Sequence, residues 1–197
     1  DHVALYALAN DYFVVVSHLT RDRATLLRAL DEIPTISGGT PLYDAIVLAY
    51  AEEFHQRPQE RNALIVITDG LDNQIHAVGT PSEVSFPRLH HAAGTMDALM
   101  YPILLEPFTR VPPPKWAREA TVKMQMLAQA AGGRTFSAGS PDKLAPVFPM
   151  VAEELRSVYN LDYTPSNQDF NGAWRRVEVR VKQRGARVRT RPGYYAR

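Results

Sequence analysis

The chain of 197 residues contains no cysteine. Disulfides, thiolate zinc sites, iron–sulfur clusters and cysteine nucleophiles are therefore excluded, while the compartment stays open. No apolar run approaches the ~20 residues of a membrane-spanning helix. Asp1 is followed by neither a basic n-region nor an apolar h-region, so any targeting segment is expected upstream or not at all. Gly-x-Ser-x-Gly, His-Glu-x-x-His and Gly-x₄-Gly-Lys-Ser/Thr are all missing, which removes the commonest hydrolase, metalloprotease and NTPase signatures. There is no internal repeat and no low-complexity segment. What remains is ordinary globular composition, 45% hydrophobic and 22% charged. The length suits one domain of about 150 residues plus a small appendage.

The net charge of +1 conceals an asymmetry. Residues 175–197 carry nine Lys/Arg against one acid, Glu178, for a net of +8, and residues 1–174 carry the compensating −7. Arg176, Arg180, Lys182, Arg184, Arg187, Arg189 and Arg191 could bind a polyanion; the plainer reading is the wet face of a β-hairpin.

Val3–Leu8 and Tyr12–Ser17 read as a hairpin turning at Asn10-Asp11. Leu26, Leu27, Leu30 and Ile33 mark a helix with Thr20 or Asp22 as N-cap. After Ile36-Ser37-Gly38-Gly39, Thr40-Pro41 restarts a helix, with a capping hydroxyl and proline at its first position. Leu42, Ala45, Ile46, Ala49 and Phe54 form its buried stripe, and Pro58 lies beyond its end. Ala63–Ile67 is continuously apolar, as expected of a parallel strand covered on both faces, and it ends at Thr68-Asp69-Gly70. A weaker helix is expected near Arg88–Leu99, then a strand at Tyr101–Leu105 and a Pro-rich loop at Glu106–Lys115. The helix Trp116–Ala131 follows, stopped by Gly132-Gly133. Thr135-Phe136 is a short strand, and a helix is expected at Met150–Val158. Tyr159–Tyr163, Trp174–Gln183 and Arg187–Arg191 read as strands, the last two paired around Arg184-Gly185. Val177, Val179 and Val181 there alternate with Arg176, Glu178 and Arg180. Strand–helix alternation through residue 158 indicates a doubly wound α/β fold with a mainly parallel sheet. An antiparallel extension, 159–197, is expected to pack on the domain formed by 1–158.

In such sheets ligands bind outside the carboxyl ends of the strands. Asp69 leaves a buried strand there, and Thr40 begins a helix behind two glycines. A hydroxyl and a carboxylate are hard oxygen ligands suited to Mg²⁺, Ca²⁺ or Mn²⁺, although an N-cap and a turn residue are the plainer roles. His90 and His91 point about 100° apart on a helix, so one metal cannot take both.

Gly38-Gly39-Thr40-Pro41-Leu42-Tyr43-Asp44-Ala45, followed by Ile65-Val66-Ile67-Thr68-Asp69-Gly70-Leu71-Asp72-Asn73, resembles a von Willebrand factor type A domain. Glu153-Glu154-Leu155-Arg156-Ser157-Val158-Tyr159-Asn160-Leu161-Asp162-Tyr163-Thr164-Pro165, with the ending Pro192-Gly193-Tyr194-Tyr195-Ala196, is similar to the bacterial, acidobacterial-type members that carry a short β-rich tail. The resemblance implies a Rossmann-like fold, export to the periplasm, cell surface or medium, and a non-enzymatic module for adhesion-type protein recognition. It also implies a divalent-cation site completed by an acidic side chain of the partner. Thr40 and Asp69 match its threonine and third-loop aspartate. Gly39, Gly70, Asp44 and Asp72 would lie beside that site. The family's Asp-x-Ser-x-Ser does not occur in residues 1–197. Two ligand residues fall short of the six or more oxygens that Mg²⁺ or Ca²⁺ requires, so a cation is expected only in a complete parent protein. Asp1-His2-Val3-Ala4-Leu5 matches the family's second strand. A preceding segment or another chain is therefore expected to complete the sheet. The other readings are a structural, metal-free domain of an envelope protein and polyanion binding by the basic tail. Nucleic acid is not the expected partner.

Overall fold

Ala98–Leu105 (β4) is the strand around which the molecule is organised: six of its eight residues are buried. In this computed structural model, residues 1–9, 12–33, 38–54, 61–73, 79–105, 113–186 and 188–196 are described. Strand β4 lies between β3 (Asn62–Thr68) and β5 (Phe136–Gly139), parallel to both. A separate antiparallel pair, β1 (Val3–Ala9) and β2 (Tyr12–Thr20), opens the chain. The helices are α1 (Arg23–Asp31), α2 (Leu42–Glu53), α3 (Phe86–Ala93), α4 (Lys115–Ala130) and α5 (Val147–Arg156). A 3₁₀ turn (Pro141–Lys143) precedes α5. The architecture is the expected α/β one: a parallel sheet flanked by helices, with a small antiparallel sheet added.

Strand periodicity sends alternate residues of β3 and β4 to opposite faces. Leu64, Val66, Met100 and Leu104 meet Leu42, Tyr43 and Ile46 of α2, Leu89 and Ala93 of α3, and Met124 and Leu127 of α4. On the other face Tyr101 and Ile103 meet Phe136, Val147 and Val151. Among the described residues that second face is covered by α5 and Leu144 before it, and α5 packs towards β5. Ile65 and Ile67 are consequently 40% and 46% exposed. This corrects the expectation that Ala63–Ile67 is covered on both sides. Among the described residues β3 pairs with β4 alone and β1 with β2 alone, so the two sheets do not join. Of the stripe expected on α1, Leu26 is half-buried, while Leu27, Leu30 and, beyond the helix, Ile33 are exposed.

Several boundaries also differ. Helix α3 ends at Ala93, and Leu99 belongs to β4, where a continuous apolar run favours strand over helix. Tyr159–Tyr163 forms no strand and is exposed. The C-terminal ladder is short, β6 (Trp174–Arg176) against β7 (Gly193–Tyr195), instead of Trp174–Gln183 against Arg187–Arg191. The chain still doubles back: Val177 N–H donates to Pro192 O, and Gly185 turns with φ +81°. Val177 and Val179 are half-buried between exposed Arg176, Glu178 and Arg180, which keeps the expected phase, but Val181 is exposed. The Asn10-Asp11 turn, Ile36-Ser37, Pro58, residues 106–112 of the Pro-rich loop and Arg187 lie outside the described residues.

The tail is fastened by Arg191. Its guanidinium donates to Met96 O and, at 3.4 Å, to Ala131 O, capping the carbonyl end of α4. Gly132 (φ +84°) takes the left-handed conformation that ends α4, as expected. Gly133 is required for a different reason: a Cβ there would stand 1.9 Å from Met100 O.

Candidate functional site

The carboxyl end of β3 and the amino end of α2 meet in one hydrogen-bonded assembly. Asn73 and Thr40 bond reciprocally, Thr40 N–H to Asn73 Oδ1 at 2.6 Å and Asn73 N–H to Thr40 O at 3.0 Å. Asn73 Nδ2 also donates to Thr80 O. Asp72, 1% exposed, accepts from Tyr43 N–H at 3.1 Å and from the Ser82 hydroxyl at 2.6 Å. Asp44 accepts from the backbone N–H groups of Glu83 and Val84, both at 2.8 Å. Three polar side chains thus bind the 68–73 segment and the 80–85 segment to the start of α2.

This changes the role of Thr40. Helix α2 begins at Leu42 with Pro41 at the cap position, and no side chain of the cap residue bonds the first turn. The free N–H groups of a helix start need an acceptor, and here Asp72 supplies it from across the chain. Thr40 is therefore not the N-cap that its position before proline suggests. It lies half-buried one residue earlier, held through its backbone.

Asp69 is half-buried and turns the chain locally, its Oδ1 accepting from Leu71 N–H at 3.0 Å. Gly70 N–H donates to Thr68 Oγ1 at 2.9 Å. Gly70 (φ +80°) has Met124 Cγ at 3.2 Å and Ala120 O at 3.4 Å from where a Cβ would stand, so the loop lies tight against α4. Gly39 is half-buried beside Thr40.

Of the acids near this corner, Asp72 and Asp44 face inward to amides and a hydroxyl. Among the described residues no group of three or more His, Asp or Glu side chains converges as a metal site. Among the described residues, the Thr40 hydroxyl and the Asp69 carboxylate are the two candidate ligands of the motif, and Mg²⁺ or Ca²⁺ would need further oxygens beside them.

Two site residues have no role in the sequence reading. Asn73 closes the motif without one, and Ser82 sits in Thr80-Pro81-Ser82, a turn-like triplet whose long-range role leaves no local trace. Tyr43 was also missed: it is fully buried, and its hydroxyl has no hydrogen-bond partner among the described residues. Burial, then the nearby Asp72 and Glu119 charges, push its pKa above the usual tyrosine range.

The basic tail is partly committed. Arg189 pairs with Glu154, which also takes Arg134 at 2.9 Å, and Arg180 pairs with Glu178 at 2.7 Å. Arg176, Lys182 and Arg184 are exposed.

Residues 1–71 match the von Willebrand factor type A domain family. That stretch is what the chain shares in sequence with type A domains. The fold agrees over a longer span. BatB from Bacteroides thetaiotaomicron is 18% identical, with 80% of each chain covered and a TM-score of 0.56. An aerotolerance-related membrane protein from Bacteroides fragilis gives the same figures: 18% identity, 80% of each chain and 0.56. The SpRpn10 VWA domain is 18% identical over 76% of this chain and 71% of its own, with a TM-score of 0.52. No curated protein sequence matches significantly. Type A domains are in general protein-interaction modules, and no helix among the described residues is long and apolar enough to cross a membrane.

Proposed function

We propose that this type A domain is a non-enzymatic recognition module whose partner-facing corner is formed by Thr40 and Asp69-Gly70-Leu71. The observation that carries this reading is the reciprocal Thr40–Asn73 bonding, reinforced by Asp72 on Tyr43. It fixes the two loops to each other, so a partner meets a pre-ordered surface and does not have to order it. Within residues 1–197 recognition runs through these side chains directly. A cation would need further oxygens from outside them, and no step is assigned to one. The aerotolerance-related membrane protein among the structural neighbours supports an envelope location.

A photo-cross-linking residue placed at Leu71 should capture a discrete partner from a native envelope extract, whereas one at Val181 should not. Asp69→Ala should abolish that capture with the circular dichroism spectrum unchanged. Identical cross-link patterns from both positions, or capture indifferent to Asp69, would sink the reading.

A second reading rests on Ile65 and Ile67. The edge of β3 that pairs with no strand among the described residues, and the exposed isoleucines beside it, suit an extended apolar segment from outside residues 1–197, hydrogen-bonded along β3. Amide exchange reads this directly: β3 amides that exchange fast in residues 1–197 should slow markedly in a longer natural chain. Equal exchange in both would dismiss it.

A further inference from the structure

A second surface, on the outer side of α3 and α4, stands apart from the corner just described. Phe86, Lys115, Arg118, Glu119, Val122, Lys123 and Met126 line an open groove of about 420 Å³. Along α4 these positions recur at the helical repeat, so Lys115 to Met126 forms a continuous stripe roughly 16 Å long at 1.5 Å per residue. Its floor is apolar. Val122 and Met126, one turn apart, are 51% and 40% exposed, although the opposite face of α4 is fully committed to the core through Ala120, Met124 and Leu127.

The groove has one ordered wall and two cations at one end. Lys123 bridges Glu119 at 2.9 Å and lies 5.3 Å from the centre of the Phe86 ring, so it is held from two sides. That pairing neutralises Glu119, the groove's single acid. Arg118 and Lys115, one turn apart at the amino end of α4, have no ion pair among the described residues. The surface is thus apolar in the middle and positive at one end.

We propose that this groove docks an acidic amphipathic helix of a partner protein. One or two aliphatic side chains would sit on Val122 and Met126 beside Phe86, and carboxylates would meet Arg118 and Lys115. Charge complementarity selects this occupant: a basic segment would bring like charge to Arg118 and Lys115, and a neutral apolar one would leave both cations without a partner. The stripe matches about three helical turns, the length over which such helices present their anchors. Nothing in this proposal depends on Thr40 or Asp69, so it survives failure of the recognition corner and can fail while that corner stands.

The test uses the 197-residue chain and two fluorescein-labelled model helices, with leucines at i, i+4, i+7 and i+11 and either glutamate or lysine at the flanking positions. The glutamate peptide should bind saturably in anisotropy titrations and the lysine peptide at least about tenfold more weakly, the gap narrowing as salt screens the charges. Val122→Glu and Met126→Glu, both at half-exposed positions, should each weaken the glutamate peptide by about tenfold or more. Arg118→Glu should weaken the glutamate peptide and strengthen the lysine peptide, a swap that a misfolded variant could not produce. Absence of saturable binding, equal affinity for both peptides, or indifference to Val122→Glu would overturn the proposal. So would binding to phosphatidylserine-containing vesicles in place of the glutamate peptide, which would make the patch a lipid-facing surface.

Discussion

Asp72 accepts the Tyr43 backbone N–H at 3.1 Å across 29 positions of sequence, and this bond joins the β3 loop to the first turn of α2. A helix start is normally capped by the residue immediately before it. Here proline occupies that position and the acceptor arrives from another element, buried and shared with Ser82. The corner of the sheet is therefore a tertiary construction, stable only when both loops are in place.

Asp72→Ala should cost about 2–3 kcal/mol, because it strands a buried N–H and a buried hydroxyl that both need an acceptor. Asp72→Asn, which keeps one carbonyl oxygen, should cost less, and Ser82→Ala only about 1 kcal/mol. Urea unfolding monitored by circular dichroism measures all three. An Asp72→Ala variant as stable as the parent would mean that the bond contributes nothing in solution.

Local patterns were legible where one neighbour decides the outcome. The α4 stripe of Ala120, Met124, Leu127 and Ala128 is buried as the helical repeat requires, and Asp22 caps α1 by accepting from Ala24 N–H at 2.9 Å. Thr40 misled because Thr-Pro is a local capping signal, while the true acceptor, Asp72, is set by tertiary contact. Ala63–Ile67 misled in a related way: an apolar run registers that a strand is suited to burial, not whether anything covers it. The tail alternates correctly at Val177 and Val179, but alternation cannot reveal how many ladder bonds form. At the site, the motif singles out Thr40 and Asp69 but says nothing of how they are held, Thr40 through its backbone and Asp69 by turning the chain onto Leu71 N–H. The inward commitment of Asp44 and Asp72 was not, since an acid's hydrogen-bond partners are invisible in its own sequence context.

Tyr43→Phe should be neutral or stabilising, by up to about 1 kcal/mol, because it removes a buried hydroxyl that has no partner among the described residues. The same hydroxyl gives the fold an alkaline limit. The pKa of Tyr43 is raised by burial, and that of Tyr6 by burial and its hydrogen bond to Glu53. Above pH ~10 the unfolded chain releases these protons while the folded chain keeps them, so stability falls as pH rises. Thermal melts between about pH 8 and 11 should show that fall, and it should be shallower in a Tyr6→Phe, Tyr43→Phe double variant. A double variant with an unchanged alkaline slope would assign the effect to other groups.

Gly133→Ala should be among the most damaging single substitutions. Its Cβ would stand 1.9 Å from Met100 O and 2.8 Å from Met100 C, both backbone atoms of the central strand β4. Relief requires α4 and β4 to move apart, at a cost of about 3 kcal/mol or more. Gly185→Ala meets no atom within 4 Å and costs only the strain of its φ of +81°. A melting temperature lowered more by Gly185→Ala than by Gly133→Ala would contradict this packing.

Ile65 and Ile103 test whether the second face of β3 is as open in solution as it is here. Both are isoleucines on the same side of adjacent parallel strands, but Ile103 is 0% exposed and Ile65 is 40% exposed. Replacing Ile103 with Thr removes a fully buried methyl-bearing branch and inserts a hydroxyl among Tyr101, Phe136 and Val151, and it should cost about 3 kcal/mol. Ile65→Thr exchanges half-exposed surface and keeps β-branching, so its cost should stay below about 1 kcal/mol. Adding Ile67→Thr should leave residues 1–197 folded and reduce their self-association, because two apolar side chains beside an unpaired strand edge favour edge-to-edge contact. Sedimentation velocity at rising concentration measures that reduction. If Ile65→Thr instead costs as much as Ile103→Thr, the face of β3 is covered in solution by another part of the protein or by a second copy.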